Sequence, residues 1–149
     1  MASNAFTDIG LLVDAGVARV TLKRPDRRNA FNAAMVLQLL QAFQDLTHAT
    51  DVNLVVLQAD GPTFCAGADL HWMKQQGEQD TAANQADALQ LAHMLWTLSR
   101  LPMPVIASVQ GDCVGGGVGL VAACDVVVAS SLAGFRLSEV KDRKSTRLN

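Results

Sequence analysis

The chain has 149 residues, half of them hydrophobic, and a formal net charge of −2. That length and composition suit one domain with apolar material enough for a core, and the weak negative charge excludes a general nucleic-acid binder, which needs a basic face. Met1–Gly10 carries no basic run and no long apolar stretch, so no targeting peptide is read there; no segment is apolar for the length of a membrane span, and a cytoplasmic protein is expected.

In chain order, Ile9–Val13 and Val17–Leu22 alternate as two short strands around Ala15-Gly16, which predicts a hairpin. Pro25 breaks the pattern inside a charged loop of Arg24, Asp26, Arg27 and Arg28. Asn32 is placed to cap a helix whose apolar residues recur at Val36, Leu39, Leu40, Phe43 and Leu46. Val52–Leu57 is a short branched run suited to a strand buried on both faces. A second helical stripe, Ala88, Leu91, Ala92, Leu95 and Leu98, ends before Pro102, and Trp96 is assigned to core packing by its place in that stripe. Val105–Val109 is a further buried strand, Leu120–Ala123 a short helix and Asp125–Ala129 another buried strand. Strands alternating with helices imply an α/β architecture. Cys65, Cys113 and Cys124 show neither a C-x-x-C pair nor metal-ligand spacing and read as reduced core thiols; no metal site is expected.

Three segments carry chemistry. In Phe64-Cys65-Ala66-Gly67-Ala68-Asp69-Leu70, small residues let backbone approach a ligand closely, and Asp69 suits a helix N-cap. A plain strand-to-helix turn reads the same way. In Gly111-Asp112-Cys113-Val114-Gly115-Gly116-Gly117-Val118-Gly119-Leu120, four glycines in five positions must meet a specific demand. A helix start offers unpaired N–H groups and positive potential to an anion, either a phosphate or a transient oxyanion. There is no Gly-Lys-Ser/Thr and no G-x-G-x-x-G with a ribose-binding acid, which leaves the oxyanion and close helix–strand packing. In Phe135-Arg136-Leu137-Ser138-Glu139-Val140, a carboxylate beside apolar residues suits proton transfer near neutral pH; a solvated surface charge is the plainer account of the same residue.

These segments, in this order and separation, together with Leu22-Lys23-Arg24-Pro25, Asn29-Ala30 and Ala123-Cys124-Asp125, resemble the enoyl-CoA hydratase/isomerase (crotonase) family up to Lys141. The resemblance implies an α/β ββα spiral over residues 1–140, truncated before the family's C-terminal helical region. It leaves Lys141–Asn149, K-D-R-K-S-T-R-L-N, as a tail foreign to the family. It implies that the Ala68 and Gly116 N–H groups form an oxyanion hole for an acyl-CoA thioester, with Glu139 as general acid/base. Ala66, Gly67, Asp69, Leu70, Gly115 and Gly117 then border the substrate, Ala66 and Leu70 at its adenine, and Arg28 with Arg27 meets coenzyme A phosphates. Trp72 and Met73 are candidates for the acyl pocket. Coenzyme A is part of the substrate, so no separate cofactor is implied. Family hydratases carry a first glutamate three residues after the oxyanion glycine; here that position is Gly119, which leaves one carboxylate in place of two. The wording of the motifs is most like bacterial methylglutaconyl-CoA hydratases, with a single-glutamate isomerase or an inactive fragment as the alternatives. Assembly as a homotrimer or hexamer is implied for the family. The missing half is expected to leave apolar surface of Val105–Val109 and Asp125–Ala129 uncovered.

Overall fold

The computed structural model describes residues 6–138. Its first two strands, β1 (Ile9–Asp14) and β2 (Val17–Leu22), pair antiparallel across a two-residue turn. Ala15 and Gly16 both have positive φ, 47° and 80°, the twist that matches a right-handed hairpin. After a short 3-10 turn at Pro25–Arg27, helix α1 spans Ala33–Thr47. The Asn32 side chain accepts the Met35 N–H at 2.8 Å and so closes the first turn of α1. Met35, Val36, Leu39, Leu40, Phe43 and Leu46 form its buried stripe.

Strand β3 (Leu54–Ala59) lies parallel to β2, and β4 (Val105–Val109) parallel to β3. Between them come α2 (Leu70–Glu78) and α3 (Thr81–Ser99). A two-residue strand β5 (Cys113–Val114), helix α4 (Gly116–Ala122), strand β6 (Val126–Ala129) and strand β7 (Phe135–Arg136) follow. The main sheet runs β1-β2-β3-β4-β6, and β5 pairs with β7 in a second small sheet. The repeated parallel crossovers place helices over the sheet, as strand–helix alternation requires. The core gathers Val20, Leu22, Val55, Leu57, Val105, Ala107 and Val109 from the strands, and the α1 stripe with Met94 and Leu98 from the helices.

Several expectations are corrected. Strand β3 begins at Leu54, not Val52, and is fully buried on one face only: Val55 and Leu57 are buried, while Leu54 and Val56 are half-buried. Helix α4 starts at Gly116 and not at Leu120, because three consecutive glycines tolerate the tight packing its first turn meets. Strand β6 is not buried. Val126, Val127 and Val128 are 49%, 43% and 61% exposed, and among the described residues β6 pairs only with β4. By contrast β4, inside the sheet, keeps Val105, Ala107 and Val109 buried and Ile106 half-buried, so of the two segments expected to be uncovered it is β6 that is exposed. In α3 the buried positions are Met94 and Leu98, with Leu91 and Leu95 half-buried and Ala88 and Ala92 exposed. Trp96 therefore leaves the core: it is 59% exposed, and the Arg100 guanidinium sits 4.4 Å from its ring centroid. No helix among the described residues is long and apolar enough to cross a membrane.

Candidate active site

The site is built where the three segments singled out by sequence, with Phe31 beside them, are joined through backbone bridges and hydrogen bonds. The first contact is a parallel bridge between Phe31 and Ala68. The Phe31 N–H donates to the Gly67 carbonyl at 2.7 Å, and the Asp69 N–H donates to the Phe31 carbonyl at 2.7 Å. In extended backbone successive N–H groups point to opposite sides. With Asp69 N–H aimed at Phe31, the Ala68 N–H is turned away from it. Gly67 makes this possible with φ +88°, and any side chain on it would lie 3.0 Å from the Val114 carbonyl oxygen.

The second contact is a parallel bridge between Cys65 and Cys113. The Cys65 N–H donates to the Asp112 carbonyl at 3.2 Å, and the Val114 N–H donates to the Cys65 carbonyl at 2.9 Å. This brings the 64–69 arm against the residues that open α4. A Cβ on Gly117 would lie 2.8 Å from both Cβ and carbonyl oxygen of Cys65, and one on Gly116 would lie 2.9 Å from Cε2 of Phe31. Ala68 and Gly116 thus both abut Phe31, one through the bridge and one at the Cδ2–Cε2 edge of its ring. Among the described residues, neither the Ala68 nor the Gly116 N–H donates to an acceptor. Ala68 is exposed, Gly115 and Gly116 are half-buried and Gly117 is buried. Among the described residues the arrangement leaves both N–H groups without an acceptor, on backbone segments tied together by bridges.

Asp69 closes the arm. Its carboxylate caps α2, accepting from the His71 N–H at 2.8 Å and the Trp72 N–H at 3.3 Å, and it also meets Nη2 of Arg24 at 3.2 Å. Burial alone would push this carboxyl upward, but the two N–H bonds and the Arg24 guanidinium together hold it below the usual aspartate value. The Asn29 side chain fixes the loop below: its Oδ1 accepts the Arg24 N–H, and its Nδ2 donates to the Asp60 and Thr63 carbonyls. A cleft of about 320 Å³ beside this arm is lined by Arg24, Arg27, Asn32, Asp69, His71, Trp72 and Gln75.

The third segment is stitched to the strand before Gly116. The Cys113 N–H donates to the Gly134 carbonyl and the Gly115 N–H to the Arg136 carbonyl, at 2.8 and 2.9 Å. The Asp112 carboxylate accepts from the Gly134 N–H and pairs with the Arg136 guanidinium. Glu139 follows three residues on, outside the described residues, as does the tail 141–149.

Other predicted residues fall unevenly. Ala66, half-buried, donates its N–H to the Arg28 carbonyl at 3.0 Å. Arg28 meets the site through that carbonyl, and its side chain is exposed and absent from the cleft lining; Arg27 lines the cleft. Leu70 is 82% exposed at the start of α2, Trp72 is buried and Met73 is 46% exposed. Gly119 lies one turn past Gly116, with Leu95 Cδ1 3.5 Å from where a Cβ would stand. Burial raises the thiols of Cys65 to about 11 and of Cys113 and Cys124 to about 12, so all three stay protonated near neutral pH; Cys65 and Cys113 lie in the core as expected, and Cys124 is half-buried against it. Among the described residues no cluster of His, Cys, Asp or Glu is placed to hold a metal. Arg24, Asn32 and Gln75 were not singled out as site residues by sequence; no local signal ties Arg24 to a carboxylate 45 residues away.

The sequence profile of the family described as Enoyl-CoA hydratase/isomerase matches residues 13–142, most of the chain. The chain belongs to the enoyl-CoA hydratase/isomerase family. A Thermus thermophilus relative is 40% identical over 125 residues, which cover 84% of this chain and 49% of the relative. The mitochondrial Delta(3,5)-Delta(2,4)-dienoyl-CoA isomerase of Mus musculus is 37% identical over 132 residues, 83% of this chain and 40% of its own. The crystal structure of an enoyl-CoA hydratase from Shewanella pealeana superposes with a TM-score of 0.89 at 36% identity, covering 92% of this chain and 52% of that one. The fold is therefore the crotonase-like α/β fold, and the chain spans about half the length, or less, of these family members.

Proposed function

We propose that this chain carries the enolate-stabilising half-site of an enoyl-CoA hydratase, with 3-methylglutaconyl-CoA as the preferred substrate. One observation supports the reading above all: two uncommitted N–H groups, Ala68 and Gly116, flank Phe31 on segments locked by backbone bridges. As the oxygen of water adds to the β-carbon of the conjugated thioester, negative charge accumulates on the carbonyl oxygen, and protonation of the α-carbon then discharges it. Donors already in place stabilise that charge without reorganisation, and losing one typically costs about 3 kcal/mol, roughly a hundredfold in rate. Glu139 serves as the acid/base that directs water to the β-carbon and returns the proton to the α-carbon. The substrate brings its own coenzyme A, and assembly into trimers or hexamers belongs to the same reading through family resemblance.

A second reading, an enoyl-CoA isomerase, is favoured by Gly119. Glycine carries no side chain, so no second carboxylate stands there, although among the described residues Leu95 alone lies within ordinary contact of its Cβ position; one glutamate suffices to move a proton between two carbons. The relatives named above include the Shewanella pealeana enoyl-CoA hydratase and the mouse dienoyl-CoA isomerase. Hydration of 3-methylglutaconyl-CoA and isomerisation of a 3-enoyl-CoA, read in the same samples with Glu139→Gln alongside, separate the two. Hydration abolished by the substitution is the expected result. Isomerisation without hydration selects the second reading, and turnover unchanged in Glu139→Gln refutes both.

A further inference from the structure

The Arg24 guanidinium touches both sides of the bridge that turns the Ala68 N–H outward. On one side it meets the Asp69 carboxylate at 3.2 Å, and on the other it donates to the Ala30 carbonyl. Ala30 precedes Phe31 and Asp69 follows Ala68, so these contacts lie one residue from each partner of the Phe31–Ala68 bridge. A second carboxylate, Asp8, stands 3.9 Å from Nε. The base of the side chain is fixed as well: the Arg24 N–H donates to Asn29 Oδ1, and the Arg24 carbonyl accepts from the Asn29 and Arg27 N–H groups. The Arg24 and Asp69 side chains are only 14% and 11% exposed, so water competes weakly for this pair.

We infer that Arg24 is a positioning residue, a clamp that holds the 67–69 arm against the 30–31 segment and thereby sets the direction of the Ala68 N–H. The inference rests on the reading of Ala68 and Gly116 as oxyanion donors. A planar guanidinium presents several donors in a fixed fork and spans two acceptors at once, whereas an ammonium is a single point of charge. The clamp reaches the second donor too, because the Phe31 ring lies against Gly116. Arg24 touches no reacting atom in this account. It acts through Asp69 and Ala30 on the geometry of a donor whose misplacement by about 1 Å costs catalysis steeply.

The test is isotope-edited infrared spectroscopy of crotonyl-CoA carrying a ¹³C thioester carbonyl, bound to the full chain. Hydrogen bonds from the two N–H groups weaken the carbonyl bond, so its stretch moves to lower frequency on binding. In Arg24→Lys most of that shift is lost. Asp69→Asn keeps a good N-cap on α2 but loses the charge that Arg24 grips. It loses the same part of the shift, and the double substitution loses no more, as for two groups acting as one unit. Thermal melting establishes that each variant is folded, and Asp69→Asn carries the test if Arg24→Lys is not. A wild-type chain that binds crotonyl-CoA without a shift overturns the oxyanion reading and this inference with it. A wild-type shift that survives in folded Arg24→Lys or in Asp69→Asn overturns the clamp alone.

Discussion

Replacing Asp69 separates two stabilising roles that one carboxylate performs. Asp69→Ala removes the N-cap of α2, which ordinarily contributes about 1 kcal/mol, and also strips Arg24 of its nearer carboxylate. Breaking a fully buried ion pair costs about 3–5 kcal/mol and an exposed one less than about 1. With the side chains 14% and 11% exposed, and Asp8 only 3.9 Å from Arg24, this pair lies between those limits, at about 2 kcal/mol. The expected loss is about 3 kcal/mol for Asp69→Ala and about 2 for Asp69→Asn, which keeps the cap. In urea titrations at neutral pH the midpoints should fall in the order wild type, Asn, Ala, with unchanged slopes. The pH dependence follows from the carboxyl being held below its usual value by the two N–H bonds and Arg24 against the opposing effect of burial. A carboxyl lowered on folding contributes stability that is present above its unfolded pKa and is lost as pH falls through its folded one. The gap between wild type and Asp69→Asn should therefore close on acidification below the usual aspartate range. Equal midpoints for Asn and Ala would refute the capping role, and a gap constant down to low pH would refute the ionic one.

Two further predictions concern stability. Gly117→Ala places a methyl 2.8 Å from the Cys65 carbonyl, which is itself held by the Val114 N–H. It should cost about 2–3 kcal/mol, whereas Gly119→Ala, with Leu95 at 3.5 Å, should be neutral or gain up to about 1 kcal/mol in helix propensity; urea midpoints that rank the two the other way would refute the packing of α4 on Cys65. The thiols of Cys65, Cys113 and Cys124, raised by burial to about 11, 12 and 12 from 9.0, contribute stability that is complete below the unfolded value and is lost as pH rises through the folded ones. Thiolate absorbance, unobscured in a chain without tyrosine, should stay low in the folded protein past pH 9.0 and rise in urea; equal titration in both states would refute the burial.

The local features were legible in sequence because local forces make them. Ala15-Gly16 between alternating runs dictates the hairpin turn, Asn32 and Asp69 supply the side-chain acceptors their helices need, and the spacing from Val36 to Leu46 writes the buried face of α1. The glycines at 115–117 announced a close approach, and motif order pointed to the family that the comparisons then established. Neighbour relations were not legible. Apolar content predicted a buried β6, but burial depends on what packs against a strand's faces, and Val126, Val127 and Val128 are exposed. Helical phase placed Trp96 in the core stripe, yet only the packing of α3 on α1 decides which arc of a helix is covered, and Trp96 faces out over Arg100. The meeting of Arg24 with Asp69 and Ala30, like that of Ala68 and Gly116 around Phe31, required parallel bridges between segments far apart in the chain. Propensity, capping and periodicity act over one or two turns of chain and are written in adjacent residues. The direction of an N–H group toward a ligand depends on register between distant strands, and that was decided only by the tertiary structure.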